Sequence, residues 1–163
     1  MRVPSSAVQR QPRLARGRQL VLVDIENIAG GACTTDAVAR QARDAVAATG
    51  QIGINDHVVI GTSHIGLIPV GTNWDRARYV VRSGRDGADL ALLEVIAENV
   101  VTRFESVVLA SGDRIFAPAV ADLAAAGIAT TVIGRRGHIA RALHQAAARV
   151  IYLDHTPDAQ TAA

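Results

Sequence analysis

Three acidic residues stand beside segments that the sequence predicts to be buried. Asp24 closes the apolar run Gln19–Asp24, and Asp113 follows the apolar run Ser106–Ala110 after a Ser-Gly pair. Asp89 stands near the start of a helical pattern. Carboxylates that lie close together repel one another, which raises some of their pKa values unless a cation intervenes. Hard divalent ions such as Mg²⁺ or Mn²⁺ take oxygen ligands, so a cluster of these acids would predict a metal site able to activate water and orient a phosphodiester.

The elements that must position these acids alternate between strand and helix along the chain. Such alternation predicts a mostly parallel sheet, and right-handed crossovers place helices on both of its faces. The expected fold class is therefore α/β, a three-layer α/β/α sandwich around a Rossmann-like sheet. The predicted strands are Gln19–Asp24, His57–Ile60, Ala77–Val81, Val107–Ala110, Ile128–Ile133 and Val150–Leu153, and the predicted helices are Asp36–Ala48, Gly87–Val101, Ile115–Ala126 and Ile139–Ala148.

This topology predicts that the three acids meet at one edge of the sheet. Ligands of open parallel sheets collect beyond the carboxyl ends of the strands. Asp24 and Asp113 follow the first and fourth predicted strands, and Asp89 lies in the first turn of the helix that leaves the third. Each acid could instead cap a turn or a helix N-terminus. Capping does not explain why all three share an edge, so the joint pattern favours a site.

Two further predictions concern the helix Gly87–Val101 and the segment before the third strand. In the predicted helix Gly87–Val101 the expected buried stripe consists of Leu90, Leu93, Ile96, Ala97 and Val100. Residues 63–73 contain Pro69 and two glycines, which argue against a long helix there.

Composition narrows the class of protein. The chain has 163 residues, 49% of them hydrophobic and 3% aromatic, which fits one domain with helices on a buried sheet. All seventeen basic residues are Arg, a bias typical of a GC-rich, bacterial genome. The absence of Lys excludes a Gly-x-x-x-x-Gly-Lys phosphate loop, and no His/Cys set has zinc spacing.

Charge and hydropathy divide the chain into a domain and two ends. Residues 1–17 are predicted to be a disordered basic arm, residues 18–155 the domain, and residues 156–163 a frayed tail. The arm could be merely solvated or could add attraction to phosphates. No apolar run approaches the roughly 18 residues that span a bilayer, and no secretion signal is evident. The single Cys33 fits a reducing cytoplasm.

Three segments together resemble the motifs of a known family. Asp24-Ile-Glu-Asn27, Asp86-Gly-Ala-Asp89-Leu-Ala-Leu and Ser111-Gly-Asp113-x-x-Phe116 are similar in order and spacing to those of the NYN domain family, over residues 19–153. These are PIN-like nucleases with a Rossmann-like sheet. The resemblance implies a metal-dependent endoribonuclease that uses Mg²⁺ or Mn²⁺ to cleave RNA.

The resemblance also implies roles for individual residues. Asp24, Asp89 and Asp113 would be the catalytic metal ligands. Asn27 would steady the loop after the first strand or contact a phosphate. Ser111 would support Asp113 or meet a phosphate through its hydroxyl and the helix N-terminus behind it.

One position departs from the family pattern. The family often shows Ser-Gly-Asp-x-Asp-Phe, and Ile115 occupies the place of the second acid here. A fourth carboxylate would then come from Glu26 or Asp86, both of which ordinary turn or cap chemistry also explains, or would be missing. The alternative function is therefore a catalytically weak or inactive module that binds RNA or recruits a partner. A receiver-like domain with an aspartyl phosphate ranks lower, because the Lys that usually pairs with such a phosphate is absent.

Several arginines fall near the same predicted edge. Arg85, Arg114, Arg135 and Arg136 are predicted to contact RNA phosphates, although exposed strand-end loops are often charged for other reasons. The partners expected are RNA and, as an option, a second copy of the chain in a homodimer.

Overall fold

The computed structural model describes residues 17–153. Most of the predicted basic arm and all of the predicted tail lie outside these residues. The strands are β1 Gln19–Asp24, β2 His57–Thr62, β3 Ala77–Val81, β4 Ser106–Ala110, β5 Ala129–Arg135 and β6 Arg149–Leu153. The helices are α1 Ile25–Ala29, α2 Asp36–Ala48, α3 Leu67–Asn73, α4 Gly87–Ile96, α5 Val100–Arg103, α6 Ala117–Ala125 and α7 Arg141–Ala146, with a 3-10 turn at Arg114–Phe116.

The strands form one sheet in the order β3-β2-β1-β4-β5-β6, and every neighbouring pair is parallel. From β1 the chain builds outward to β3, then crosses to β4 and builds outward on the other side. The direction reverses between β1 and β4, which is the position where open sheets of this kind leave a crevice for ligands. The predicted α/β class and parallel sheet are confirmed.

Strand β1 lies at the centre of the core because its side chains are buried on both faces. Leu20 and Leu22 pack into one apolar cluster together with Leu92 of α4. Val21 and Val23 point to the other face and pack with residues such as Val46 of α2. Alternation of side chains along a strand assigns them to these two layers. Full burial of each Leu or Val contributes roughly 1.5–3 kcal/mol, so the centre of the sheet is a stable platform for the loops at its edge.

Helix α2 follows the sequence signals closely. The Thr35 hydroxyl accepts a hydrogen bond from the N–H of Val38 at 3.3 Å, which caps the helix N-terminus. Ala39, Ala42 and Val46 form its buried face. The small residues let α2 lie close to the sheet.

The region after β3 differs from its prediction. A single helix over residues 87–101 was wrong, because the chain leaves the helix after Ile96 and Asn99 adopts a left-handed conformation with φ 55°. Of the predicted stripe, Val100 is buried and Leu93 and Ile96 pack partly buried against the core, but Leu90 and Ala97 are exposed. Leu90 is 41% exposed, whereas Ala91 and Leu92 are buried. Apolar residues surround α4 on most sides, so periodicity alone does not select the face that packs on the sheet.

Residues 63–73 contain a short helix rather than a long one. Helix α3 has seven residues, and Pro69 is its third residue, in the first turn, where a proline removes no hydrogen bond within the helix.

Candidate active site

Asp24 ends β1 and is held from two sides. Its Oδ2 accepts a hydrogen bond from the Ser111 hydroxyl at 2.8 Å, and its Oδ1 accepts one from the N–H of Asn27 at 3.3 Å. The second bond caps α1, so the capping role considered for Asp24 is real. Only 4% of Asp24 is exposed. The capping bond uses one oxygen of the carboxyl group, and the group still lines the pocket described below.

Ser111 and Asp113 follow β4, the strand that pairs with β1. Ser111 is fully buried, and its hydroxyl oxygen accepts a hydrogen bond from the N–H of Asp113 at 3.2 Å. Asp113 Oδ1 accepts from the N–H of Ile115 at 2.8 Å and so caps the 3-10 turn. Ser111 thus links the carboxyl group of Asp24 with the backbone that carries Asp113.

Gly112 lies where three strand-end loops meet. Its N–H donates to Asn27 Oδ1 at 2.9 Å, and its carbonyl oxygen accepts from the N–H of Ala140 at 2.9 Å. A Cβ atom at this position would lie 1.9 Å from the carbonyl oxygen of His138. Only glycine lets the loops after β4 and β5 approach this closely, and Asn27 fixes the result from the loop after β1.

Asp89 enters the site from α4. It lies in the first turn of that helix and is 9% exposed. Its carboxyl group lies close enough to that of Asp24 for the two groups to interact electrostatically. Asp86 stands at the N-cap position of α4 with φ 55° and makes no side-chain capping bond.

These residues line one pocket of about 200 Å³ at the carboxyl edge of the sheet. The pocket, called the acid pocket below, brings together the predicted Asp24, Asp89 and Asp113. Its other polar lining residues are Glu26, Asn27, Ser63, Arg82 and Asp86. Ser111 lies buried behind this surface.

Two of these lining residues are already engaged. Glu26 Oε1 accepts from the N–H of Ser63 at 3.3 Å, and the Arg82 guanidinium pairs with Glu94 at 2.7 Å. The pocket therefore gathers five carboxyl groups, while its arginine is committed to an acid outside the lining.

Burial and mutual repulsion dominate the electrostatics of the acid pocket. Burial and, after it, the charge of Asp89 raise the pKa of Asp24 to about 8, against the opposing hydrogen bond from Ser111. Burial also raises the pKa of Asp89; the hydrogen bond with Asp24 opposes that shift, and the charges of Asp113, Asp86 and Glu26 add to it. At neutral pH the pair Asp24–Asp89 therefore retains a proton that separate acids would release.

The donor chemistry fits a hard divalent cation. The available ligands are carboxylate oxygens, which Mg²⁺ and Mn²⁺ prefer, and a cation would relieve the repulsion that otherwise keeps a proton on Asp24. Within residues 17–153, no three His, Cys, Asp or Glu side chains already form a group that could hold a metal ion. Asp24, Asp89 and Asp113 line the same pocket without being drawn together around one point.

Ile115 supplies no substitute for the acid that the family often has there. Its side chain is partly buried and packs against the core cluster that contains Phe116. Glu26 and Asp86, the two other acids considered from the sequence, both reach the acid pocket.

The four predicted RNA-binding arginines occupy different surroundings. Arg85 is 97% exposed and lies 3.9 Å from Asp86, whereas Arg114 lines a neighbouring pocket. Arg136 stacks over the ring of Tyr152 at 4.2 Å. The structure does not gather these four guanidinium groups into one cluster.

Arg135 is the most enclosed of the four. Its Nε is buried without a hydrogen-bond partner in the described part of the chain. Its Nη1 lies 2.9 Å from where a Cβ atom of Gly30 would stand, so the loop after α1 passes directly against the guanidinium. Gly30 has φ 79° and suits that tight turn.

Sequence reasoning missed the contribution of His138. His138 was not among the residues predicted to form the site, yet it lines the neighbouring pocket together with Arg114. The sequence did contain a signal for this position. His138 comes three residues after β5, and residues that follow parallel strands lie at the edge of the sheet where ligands bind. Its contact with Gly112 had no local signal, since the two residues are far apart in the sequence.

The fold is that of a PIN-like protein. The NYN domain family matches residues 18–154, and the chain belongs to this family, which is part of the PIN-like superfamily. A crystal structure of a protein of unknown function from Vibrio parahaemolyticus is similar, with a TM-score of 0.53 and 17% identity over 85% of this chain and 94% of that chain. This likeness supports the fold. No curated protein matches the chain.

Family membership gives the chain a nuclease-like fold associated with RNA. Among the described residues, no helix is both long enough and apolar enough to span a membrane.

Proposed function

We propose that this protein is a metal-dependent endoribonuclease that cleaves RNA phosphodiester bonds with the help of Mg²⁺ or Mn²⁺. The observation that carries the proposal is the convergence of Asp24, Asp89 and Asp113 on one pocket, where burial raises the pKa values of Asp24 and Asp89. Acids held this close, beside an arginine already paired with Glu94, favour the binding of a divalent cation over two ionised carboxylates alone.

The carboxylates of Asp24, Asp89 and Asp113 would hold the cation. When bound, a divalent ion in such a site lowers the pKa of water and neutralises charge on a phosphate. Ser111 acts as a positioning residue, because its hydroxyl orients Asp24 while its oxygen receives the N–H of Asp113. Asn27 holds the backbone at Gly112. Glu26 and Asp86 add negative charge at the pocket wall.

The arginines would hold the RNA backbone on either side of the acids. Arg114 and Arg136 are exposed, and Arg135 keeps a buried nitrogen without a partner in the described structure. Guanidinium groups bind phosphate oxygens through two parallel hydrogen bonds, which suits them to this role. Arg85 reaches solvent from the loop before α4 and would contact RNA farther from the acids.

The proposal is tested by incubating a labelled single-stranded RNA with the protein and Mg²⁺ or Mn²⁺, and by repeating the assay in EDTA. Cleavage within the strand should require the metal and should be lost in Asp89→Asn and Asp113→Asn. Asp122→Asn, on the exposed surface of α6, is the matched control. Equal cleavage by wild type and both site variants would show that the acid pocket is not the active site.

A second function is supported by Ile115. The side chain packs against the core where relatives often have a further acid, so this chain has one carboxylate fewer in that motif. A module that binds RNA or recruits a partner without cleaving it would tolerate the loss. Calorimetric titration with Mn²⁺ separates the two functions, because a pure binding module should show no divalent-ion site near neutral pH. A cytoplasmic location, a bacterial source and a homodimer stay predictions.

A further inference from the structure

A second pocket adjoins the acid pocket on the side of β4 and β5. Its volume is about 360 Å³, within the range of small-molecule sites of roughly 300–1,000 Å³. Asn27 and Asp113 line both pockets, so the two form a continuous depression. A strand of RNA with one phosphate at the acids would reach the second pocket with a neighbouring nucleotide.

The floor of the second pocket is held firmly. Gly112 is bonded through its N–H to Asn27 and through its carbonyl oxygen to Ala140, and it packs directly under the backbone of His138. Both walls are thus joined below the cavity. A pocket with such a floor is already shaped before a ligand arrives, which reduces the ordering required on binding.

The second pocket carries much less negative charge than the acid pocket. Arg114 and His138 are both exposed, and neither side chain has an ion pair or hydrogen bond within residues 17–153. The lining has one acid, Asp113, which belongs to both pockets. By contrast, Arg82 in the acid pocket is already paired with Glu94. An anionic group next to the acids would therefore find unpaired donors on this side.

We propose that the second pocket is a nucleotide subsite, in which Arg114 and His138 bind the phosphate of the RNA nucleotide next to the one held at the acids. The proposal rests on the proposed function, since it takes RNA as the ligand. It specifies where the RNA strand leaves the acid pocket and which side chains bind it there. Each contact with a phosphate of single-stranded RNA should contribute about 0.7 to the slope of log affinity against log salt concentration.

The test measures binding rather than cleavage, so that it is independent of turnover. A fluorescent five-nucleotide RNA is titrated by anisotropy with Asp89→Asn protein, in which the change lies outside the second pocket. Adding Arg114→Ala should weaken binding about five- to tenfold and lower the salt slope by about 0.7, and His138→Ala should weaken binding by a similar factor. The controls are Arg149→Ala, at the amino end of β6, and His144→Ala, on the exposed side of α7.

Shortening the RNA by one nucleotide at either end identifies the ligand of the subsite. Removing the nucleotide that occupies the second pocket should weaken binding. The same removal should cause no further loss in protein in which Arg114 and His138 are both replaced by Ala, because the nucleotide and the two side chains form one interaction. Additive losses at both ends, variants that behave like their controls, or no RNA binding at all would overturn the subsite. Absence of cleavage by the wild type, with binding as described, would instead refute only the nuclease activity.

Discussion

The two loops that bring acids to the pocket are built differently. The loop after β4, Ser111–Asp113, is buried or half-buried and bonded to the loops after β1 and β5. The loop after β3, residues 82–86, is exposed throughout, and its Gly84 and Asp86 have φ angles of 98° and 55°. Its internal bond, from the N–H of Gly87 to the carbonyl oxygen of Gly84 at 3.1 Å, is local, and its only side-chain bond to another loop in the described chain joins Ser83 to His64 after β2.

This difference separates the acids into two kinds. Asp24 is fixed by a hydrogen bond from Ser111 in the loop after β4, and Asp113 by one from the N–H of Ile115 in the next turn. Asp86 depends on an exposed turn that can adjust, while Asp89 is placed by the packing of α4 on the sheet. We expect the fixed acids to determine activity, and the exposed loop to tune binding with little effect on stability.

The largest effect should distinguish Asp113 from Asp86. Asp113→Asn should lower the rate of RNA cleavage by about 100-fold or more, because a metal ligand is lost, whereas Asp86→Asn should change it by less than about fivefold. Single-turnover cleavage with saturating Mn²⁺ measures both. A loss in Asp86→Asn as large as that in Asp113→Asn would mean that the exposed loop carries an essential ligand.

An added methyl group should destabilise the fold more at Gly112 than at Gly84. The added Cβ at position 112 meets the His138 carbonyl oxygen, so Gly112→Ala should destabilise the fold by about 1–3 kcal/mol. At Gly84 a Cβ has no neighbour within 4 Å, and the cost, about 1 kcal/mol, comes from the positive φ alone. Urea unfolding gives both values. Equal destabilisation by the two changes would contradict the difference in packing.

Stability should fall as pH rises in the absence of divalent cations. The folded protein keeps a proton on Asp24 up to about pH 8, while the unfolded chain releases it near 3.8, so folding binds a proton between these values. The contribution has a limiting slope of about −1.4 kcal/mol per pH unit. Urea unfolding in EDTA between pH 5 and 8 measures it.

Asp24→Asn should flatten this pH dependence, because an amide cannot ionise, and Asp122→Asn should leave it unchanged. Mn²⁺ should also flatten it in the wild type, since a cation takes over from the proton. A wild-type slope no steeper than that of Asp24→Asn would mean that burial in the folded protein does not hold a proton on Asp24 at neutral pH.

The smallest effect concerns the ion pair between Arg82 and Glu94. Both side chains are largely exposed, so Glu94→Gln should change stability by less than about 1 kcal/mol. The released guanidinium should raise RNA affinity by at most about threefold, since it stands at the wall of the acid pocket. Anisotropy titration measures the affinity, with Glu98→Gln as the control because its ion pairs lie outside the lining. A gain in RNA affinity larger than threefold would show that Glu94 competes with RNA for Arg82.

The strands and the position of the site were predictable because local signals are strong there. The run Gln19–Asp24 is apolar on both faces and ends at an acid, and Thr35 marks the start of α2. The turn after Ile96 was not predictable, because Ala97, Val100 and Val101 continue a helical pattern across the left-handed Asn99. The hydrogen bonds around Gly112 were not predictable either, because residues 27, 112 and 140 meet only in the folded chain.

The Gly112 peptide groups have a consequence for motion. The N–H and the carbonyl oxygen of this residue are both taken, by partners from the loops after β1 and β5. None of the three loops can open without breaking a bond at one residue, so this side of the pocket should open as a cooperative unit. Slow amide hydrogen exchange at residue 112, with fast exchange at residue 84, would make the glycine a reporter of that opening.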